Sequence, residues 1–137
     1  MTDGFIAKKT LALGKARAVA AAAETEALRH GFTMCIAVVD DGGHLLSFQR
    51  LDGTQIGSID VAVGKARTAL SFKRPTKTLE EFVQAGGITA MTIAGAVMLD
   101  GGLPLIHDGT IVGAIGVSGG RPHQDGQVAA AGAAMLG

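Results

Sequence analysis

The stretch from Gly113 to Pro122 constrains the fold more than any other part of the chain. It reads Gly-Ala-Ile-Gly-Val-Ser-Gly-Gly-Arg-Pro, an apolar run that passes into glycines and a proline, followed by an alanine-rich tail. Glycine permits turns that a Cβ would block, and proline is favoured at the first position of a helix. We therefore predict that a strand, a sharp turn and the start of a helix follow one another here.

This turn has two functional interpretations. The start of a helix presents unpaired N–H groups and a partial positive charge, which suit a small anion or a carboxylate. On that interpretation the ligand-binding candidates are Gly116, Ser118, Gly119 and Gly120. The alternative is a turn whose glycines serve packing alone. The sequence leaves both interpretations open.

Composition excludes several classes of protein. The 137 residues suffice for one domain, and we take 1–137 as a single domain. Twelve basic residues balance twelve acidic ones, so no net charge favours nucleic acid or an anionic membrane. The longest apolar run, 88–99, is too short to span a bilayer, and the first residues do not resemble a secretion signal. We expect a cytoplasmic protein that binds neither nucleic acid nor membranes.

The single cysteine limits redox and metal chemistry. Cys35 lies in the apolar run Met-Cys-Ile-Ala-Val-Val, which predicts a small buried side chain. One cysteine cannot form a disulfide within the chain, and it rules out a cysteine metal cluster. We predict no metal site.

Apolar spacing and turn signals predict helices that alternate with hairpins. Two Asp-Gly turns, at 41–43 and 108–109, each join a pair of strands. The segment 88–99 is ambiguous between a helix and a buried strand, and we favour irregular or helical structure there. The predicted strands span 33–40, 44–51, 103–107 and 110–117. The first predicted helix spans 5–29 and is capped by Thr2 or Asp3, and the second spans 61–70, is opened by Ser58 or Asp60 and is stopped by Pro75. A short third helix starts at a capping box at Thr78, and the last helix runs from 122 to about 135. This order predicts an α+β fold in which helices cover an antiparallel sheet.

Several motifs in this order resemble the GlcG/HbpS-like family. They are Val39-Asp-Asp-Gly-Gly-His-Leu45, Arg50-Leu-Asp-Gly53, Ala62-Val-Gly-Lys-Ala-Arg-Thr-Ala69, Gly101-Gly-Leu-Pro-Leu105, the run 113–119, and Asp125 with Ala131-Gly132. The family includes the haem-binding HbpS protein, the GlcG protein of glycolate-utilisation operons and the carboxyl-terminal domain of PduO-type cobalamin adenosyltransferases. The resemblance implies a profilin-like sandwich with about five antiparallel strands flanked by helices, assembled as a homo-oligomer. Function varies across such a scaffold.

Arg50 and Asp52 form the first pair of candidate site residues. An arginine can donate two parallel hydrogen bonds to a carboxylate, and Asp52 can hold it in place or accept a proton. The alternative is a structural ion pair at the corner between strand and helix.

Lys65 is the second candidate, on the predicted helix between Gly64 and Ala66. It can bind an anion or, if desolvated, act as a base. The alternative is a side chain whose stem covers the core and whose ammonium reaches water.

The four histidines are His30, His44, His107 and His123. Their spacing fits no metal pair. We name His44 as a candidate proton carrier, and any of the four as a haem ligand, against the alternative of ordinary surface residues. Ser118 has glycines two residues before and after it, but no order of acid and histidine completes a hydrolase triad. It either caps the last helix or donates to a ligand, while Asp125 is placed to favour the helix dipole.

These candidates support two functions. The first is binding of a small carboxylate-bearing metabolite in a catabolic pathway. Arg50 and the glycine turn would hold the acid, and Asp52, Lys65 or His44 would catalyse metal-independent acid-base chemistry such as isomerisation, deamination or hydrolysis. No cofactor is then required. The second is binding of haem or another tetrapyrrole for sensing, storage or protection. An assembly module without a ligand is a third possibility.

Overall fold

The computed structural model describes residues 3–136, which fold into helices on both faces of one sheet. Thr2, a predicted helix cap, lies outside the described residues. The elements in chain order are α1 (Leu13–Arg29), β1 (Cys35–Asp40), β2 (Leu45–Arg50), α2 (Gly57–Phe72), α3 (Thr76–Gln84), β3 (Gly102–His107), β4 (Thr110–Ser118) and α4 (Pro122–Ala133). Two short 3-10 segments, Ile88–Thr92 and Ala134–Leu136, complete the set. No helix within residues 3–136 is both long and apolar enough to cross a membrane.

The sheet confirms the predicted α+β class and both hairpins. Its strand order is β2-β1-β4-β3, and each neighbouring pair is antiparallel. Among the described residues the sheet has four strands, where the family resemblance implied about five. The Asp-Gly pair of the second hairpin adopts the backbone that its sequence indicates. Asp108 and Gly109 both have positive φ, at 49° and 75°, which is the geometry of a two-residue hairpin turn.

The two faces of the sheet bury different cores. Alternate residues of β1 and β4, such as Ile36 and Ile115, pack against α1 and α4. The intervening residues, such as Ala37 and Ala114, pack against α2. The α2 face is built largely of alanine, so this helix lies close to the sheet. Side chains alternate across a strand, and this period assigns each residue to one helical layer.

The first helix begins later than predicted. Ala16, Ala20, Ala23 and Ala27 are buried as the periodicity requires, but α1 starts at Leu13 rather than near residue 5. The preceding chain is tied to the sheet instead, because the Leu11 N–H donates to the Val112 carbonyl at 3.0 Å. The predicted cap at Asp3 is therefore wrong, and Ala12 is the N-cap. The end at His30-Gly31 is confirmed, with Gly31 at a φ of 70°.

Two further helix starts also differ from prediction. Helix α2 begins at Gly57 after Ile56, so neither Ser58 nor Asp60 caps it. Helix α3 begins at Thr76 after Pro75, so the capping box at Thr78 is wrong. The reason is tertiary: the Thr76 hydroxyl accepts a 2.8 Å hydrogen bond from the Gly102 N–H, which ties the start of α3 to β3. The segment 88–99 is irregular apart from its 3-10 turn, as favoured from the sequence.

Candidate functional site

Lys65 lies in the interior beneath the start of α4. Its residue is 1% exposed, and its Nζ donates to the Val117 carbonyl at 3.0 Å and to Asp125 Oδ2 at 2.8 Å. The small residues around it make this possible, since α2 lies close to β4 at this level. Both alternatives from the sequence assumed an ammonium that reaches a ligand or water. The ammonium is instead enclosed and paired with a carboxylate.

Asp125 is the anion that the glycine-rich turn holds. Its Oδ2 accepts from Lys65, and its Oδ1 accepts from the Gly120 N–H at 2.9 Å. Burial raises the pKa of Asp125, and the Lys65 ammonium and the N–H groups of Gly119 and Gly120 oppose that rise. The turn thus holds a carboxylate, where the sequence interpretation had the turn and the helix start bind one from a ligand. The carboxylate belongs to this chain.

The glycines of the same stretch are required by close packing. A Cβ on Gly116 would meet the Ala62 carbonyl and the Ala66 amide of α2. A Cβ on Gly119 would meet the Thr33 carbonyl, and its φ of 142° also favours glycine. As ligand-binding residues, Gly116, Gly119 and Gly120 remain predictions.

Ser118 does not cap the last helix. It is the last residue of β4, while the N-cap of α4 is Arg121. The Arg121 N–H donates to Gln124 Oε1 at 3.0 Å, which supplies the cap from within the helix. As a donor to a ligand, Ser118 remains a prediction.

Arg50 and Ser118 lie in one row across the end of the sheet. Cys35 of β1 pairs with Arg50 on one side and with Ser118 on the other. Residues directly opposite in antiparallel strands project from the same face, and neighbouring strands are about 4.8 Å apart. Burial raises the pKa of the Cys35 thiol, and the nearby Arg50 guanidinium opposes that rise. The register brings together two residues that are far apart in the sequence.

A cavity of about 450 Å³ opens beside Arg50, at one end of this row, and neither Cys35 nor Ser118 lines it. Arg50 and Asp52 line it, together with Thr33 and the apolar side chains of Leu28 and Phe32. Arg50 and Asp52 make no ion pair with each other or with any other residue in the range 3–136. The structural ion pair that was the alternative for these residues is therefore absent. We call this region, comprising Thr33, Arg50, Asp52 and Ser118, the Arg50 end of the sheet.

His44 lies at the opposite end of the sheet. It follows the β1–β2 turn, and its Nδ1 is 3.3 Å from Asp40 Oδ1. Its side chain is 83% exposed, and it precedes Leu45, which pairs with Val39 at the end of β1 opposite to the Cys35–Arg50 pair. His107 lines two cavities near the start of α1, of about 250 and 410 Å³. The structure therefore separates His44 from the other candidate catalytic residues.

Asp100 is a buried carboxylate that sequence reasoning missed. It is 9% exposed and lies against Gly126 of α4, where a Cβ would meet Oδ1. Burial raises its pKa, and Glu80 contributes to the rise. The signal for it in the sequence was the glycine pair Gly101-Gly102 that follows it, because glycines at a strand mark a place where another part of the chain comes close to the backbone. Among the described residues, no group of three His, Cys, Asp or Glu side chains is arranged to hold a metal ion.

Comparison with known proteins places this geometry in a family. The family model described as "Haem degrading protein HbpS-like" matches residues 11–134. The chain belongs to the HbpS-like family. It is 43% identical over 111 residues to the protein GlcG of Escherichia coli K12, which covers 81% of this chain and 83% of GlcG. All of the residues of the Arg50 end fall within the matched range.

Solved structures of relatives share the fold of this HbpS-like chain. A double mutant of Streptomyces reticuli HbpS aligns with a TM-score of 0.91 and 37% identity, over 100% of this chain and 94% of that one. A PduOC:heme complex aligns with a TM-score of 0.84 and 27% identity, over 93% of this chain and 95% of that one. The four-stranded antiparallel sheet with flanking helices is thus the fold of the family.

Proposed function

We propose that this chain is a cytoplasmic protein that binds a small carboxylate-bearing organic molecule at the Arg50 end of the sheet. The observation that carries the proposal is Arg50 itself, an exposed arginine beside a cavity of about 450 Å³ and without an ion-pair partner in the range 3–136. A guanidinium matches the planar, bidentate geometry of a carboxylate. An arginine at a cavity is therefore available to a ligand in a way that the enclosed Lys65 is not.

The composition of the cavity supports a ligand with one acidic and one apolar part. Leu28, Phe32 and Leu51 provide apolar lining, Thr33 adds a hydroxyl, and Glu24 and Asp52 add two carboxylates beside the Arg50 guanidinium. Small-molecule sites have this character, mostly apolar with a few polar groups that fix orientation, and their volumes are about 300–1,000 Å³. Ser118 lies in the same row as Arg50 but is 7% exposed and does not line the cavity. The ligand class that we propose, on the strength of Arg50, is a small organic acid.

Asp52 is the group that would move a proton if the bound acid is converted. It lies two residues after Arg50 on the same cavity. A carboxylate near a bound acid can accept a proton from the carbon or hydroxyl next to the ligand carboxylate. This chemistry is compatible with isomerisation, deamination or hydrolysis in a catabolic pathway. Lys65 and His44 have no part in it, since one is enclosed and the other lies at the far end of the sheet.

Calorimetric titration with paired ligands tests the proposal. Small hydroxy- and keto-acids are each compared with the neutral amide of the same skeleton. We expect the acid to bind and the amide to bind at least tenfold more weakly, because only the carboxylate pairs with Arg50. Arg50→Gln should abolish this preference for the acid. Arg50→Lys should restore part of it, because lysine keeps the positive charge but cannot donate the two parallel hydrogen bonds of a guanidinium.

Arg17→Gln is the matched control, because Arg17 is an exposed arginine on α1 that does not line the cavity. It should bind the acids as the unmodified protein does. Equal binding of acid and amide, or full affinity in Arg50→Gln, would contradict the proposal. Thermal shift provides an independent reading, since a ligand at about 100 times its Kd stabilises the folded state by about 2.7 kcal/mol.

Haem binding is the second candidate, and His107 favours it. The family description names haem degradation, and one relative is a heme complex. His107 lines two neighbouring cavities together with Lys9, and Leu11, Val112 and Leu136 line the smaller one. An imidazole can ligate haem iron, lysines suit propionates and apolar side chains suit a porphyrin face. The types of residue that line these two cavities therefore fit a haem group, and bound haem would supply iron chemistry there.

Haemin titration distinguishes the two candidates. A sharp, stoichiometric shift of the Soret band that is lost in His107→Ala and kept in His44→Ala would support haem at this second place. Weak, unsaturable binding, or a shift that survives His107→Ala, would count against it. Because the two candidates use different residues, Arg50→Gln and His107→Ala report on them separately.

A further inference from the structure

Charges of both signs line the cavity at the Arg50 end of the sheet. Besides the Arg50 guanidinium, its lining contains the carboxylates of Glu24 and Asp52. Glu24 lies on α1, whereas Arg50 is the last residue of β2 and Asp52 lies in the turn that follows. Negative charges thus outnumber the positive one, and they come from two different elements. A ligand that carries only a carboxylate would meet an excess of like charge here.

These three charged side chains are all unpaired. They make no ion pair with one another or with any other residue of the described range 3–136. Glu26, two residues further along α1, shows the contrast, because its carboxylate lies 2.9 Å from Arg29 Nη2 and 3.2 Å from His30 Nε2. Both cations at the end of α1 therefore pair with Glu26. Glu24 lines the cavity without a cation.

The end of α1 adds to the negative potential of the cavity. Leu28, Gly31 and Phe32 line it, so the cavity lies at the carboxyl end of this helix. The carboxyl end of a helix carries a partial negative charge, which favours a cation nearby. Glu24 precedes Leu28 by four residues, so both lie on the same side of α1. The α1 side of the cavity thus favours a cation, whereas Arg50 favours an anion on the β2 side.

We propose that the ligand of this cavity is an amino acid, whose carboxylate pairs with Arg50 and whose ammonium pairs with Glu24. The proposal rests on the organic-acid site proposed at Arg50 and specifies the class of acid. Glu24 is half-buried, whereas Asp52 is exposed. Opposite charges attract more strongly where less water surrounds them, so Glu24 is the carboxylate that holds the ammonium. Asp52 remains the group that would move a proton.

The balance of charge and apolar lining favours an amino acid over an acid without an amine. A simple acid adds a negative charge to a lining that already has more negative than positive groups. An amino acid is neutral overall, and each of its charges meets an opposite one. Leu28, Phe32 and Leu51 supply apolar surface, and the Phe32 ring is stacked on His30 with ring centroids 5.3 Å apart. We therefore expect an amino acid with an apolar side chain.

Calorimetric titration with three ligands of one carbon skeleton tests the proposal. The ligands are leucine, the hydroxy acid in which a hydroxyl replaces its ammonium, and leucinamide, which keeps the ammonium and lacks the carboxylate. We expect leucine to bind at least tenfold more tightly than either analogue, because only leucine presents both charges. Glu24→Gln should remove the preference for leucine over the hydroxy acid. Glu24→Lys should reverse it, since a lysine repels the ammonium.

Glu81→Gln is the matched control, because Glu81 is an exposed glutamate on α3 that does not line the cavity. It should keep the tenfold preference for leucine over the hydroxy acid.

The three ligands separate this proposal from the one on which it rests. Leucine and the hydroxy acid binding equally to the unmodified chain, or a preference that survives Glu24→Gln, would overturn the amino acid and leave the organic acid in place. Equal binding of leucine and leucinamide would contradict the carboxylate site at Arg50, and both proposals with it. Absence of binding by leucine where the hydroxy acid binds would likewise overturn the amino acid. The comparison in the unmodified chain needs no variant to fold.

Discussion

The chain contains two places where a cation meets the end of the sheet, and they differ in what surrounds the cation. Lys65 is enclosed, with its ammonium 2.8 Å from Asp125 Oδ2 and 3.0 Å from a backbone carbonyl. Arg50 is exposed, lines a cavity and has no ion-pair partner within residues 3–136. Both were candidates for the same role in binding an anion. The structure supplies an internal carboxylate to one of them and leaves the other open.

This difference separates a structural charge from one that is free to bind. A buried ion is retained only when its partners satisfy it, and removing one partner leaves an uncompensated charge. An exposed ion costs little to keep unpaired, because water solvates it. Substitution of Lys65 should therefore lower the free energy of unfolding, whereas substitution of Arg50 should weaken ligand binding.

Lys65→Met is expected to give the largest effect. Methionine keeps an unbranched apolar chain but removes the ammonium, so the Asp125 carboxylate is left buried without its cation. Breaking a buried pair in this way costs about 3–5 kcal/mol in the free energy of unfolding. Chemical denaturation should measure this loss, and the midpoint of thermal unfolding should fall by about 10–20 °C.

Replacing both partners checks the cause. Lys65→Met combined with Asp125→Asn removes both charges and keeps an acceptor for the Gly120 N–H, so it should recover most of the lost stability. Lys9→Ala, a change at an exposed lysine, should stay within about 0.5 kcal/mol. A double variant no more stable than Lys65→Met alone would show that the pairing of charges is not what stabilises this region.

Gly116→Ala tests whether the glycine stretch serves packing. The added Cβ would meet backbone atoms of Ala62 and Ala66, which cannot move without shifting α2. Overpacking of this kind costs about 1–3 kcal/mol. Gly14→Ala is the control, since Gly14 lies in α1 with nothing within 4 Å, and it should gain about 0.5–1 kcal/mol from helix propensity. Gly116→Ala as stable as the unmodified protein would refute the packing role.

Asp100→Asn extends the comparison to a buried carboxylate without a cation in hydrogen-bond contact. Burial raises the pKa of Asp100 above its ordinary value of 3.8, with Glu80 raising it further and Lys77 and Lys65 opposing. The folded protein therefore holds this proton more tightly than the unfolded chain, and its stability falls as pH rises from 3.8 through the raised pKa. Asp100→Asn removes the titrating carboxyl, so the variant does not lose this stability as the pH rises. Its stability relative to the unmodified protein should increase between pH 4 and pH 7 in denaturation curves, and a constant difference would contradict the assignment.

Local signals in the sequence were enough for the order of elements but not for three of the helix starts. Asp108-Gly109 needs only its own backbone preferences to form a turn, so the hairpin was predictable. The start of α3 depends on a hydrogen bond from Gly102 to Thr76, and the start of α1 follows a hydrogen bond from Leu11 to Val112. Such long-range contacts override the local preference for a cap, and a single sequence does not reveal them.

The candidate site was predictable in its residue types and not in its partners. Binding of an anion was one of two interpretations of the glycine turn, and the anion that it holds is Asp125, which was assigned only to the helix dipole. The pairing of Lys65 with Asp125 spans 60 positions, and only the fold brings them together. The row of Arg50, Cys35 and Ser118 likewise depends on the register of three strands. Spacing along the chain carries no information about such neighbours.

Arg50→Met makes the same kind of change as Lys65→Met and should have the smallest effect on stability. The Arg50 side chain is exposed and pairs with no acid in the range 3–136, so its removal leaves no carboxylate unsatisfied. Substitutions at such positions stay within about 0.5 kcal/mol. Denaturation curves of the two methionine variants, measured side by side without ligand, should therefore differ by about 3 kcal/mol or more. A loss at Arg50 comparable with that at Lys65 would mean that Arg50 stabilises the end of the sheet, and its availability to a ligand would no longer follow from its lack of a partner.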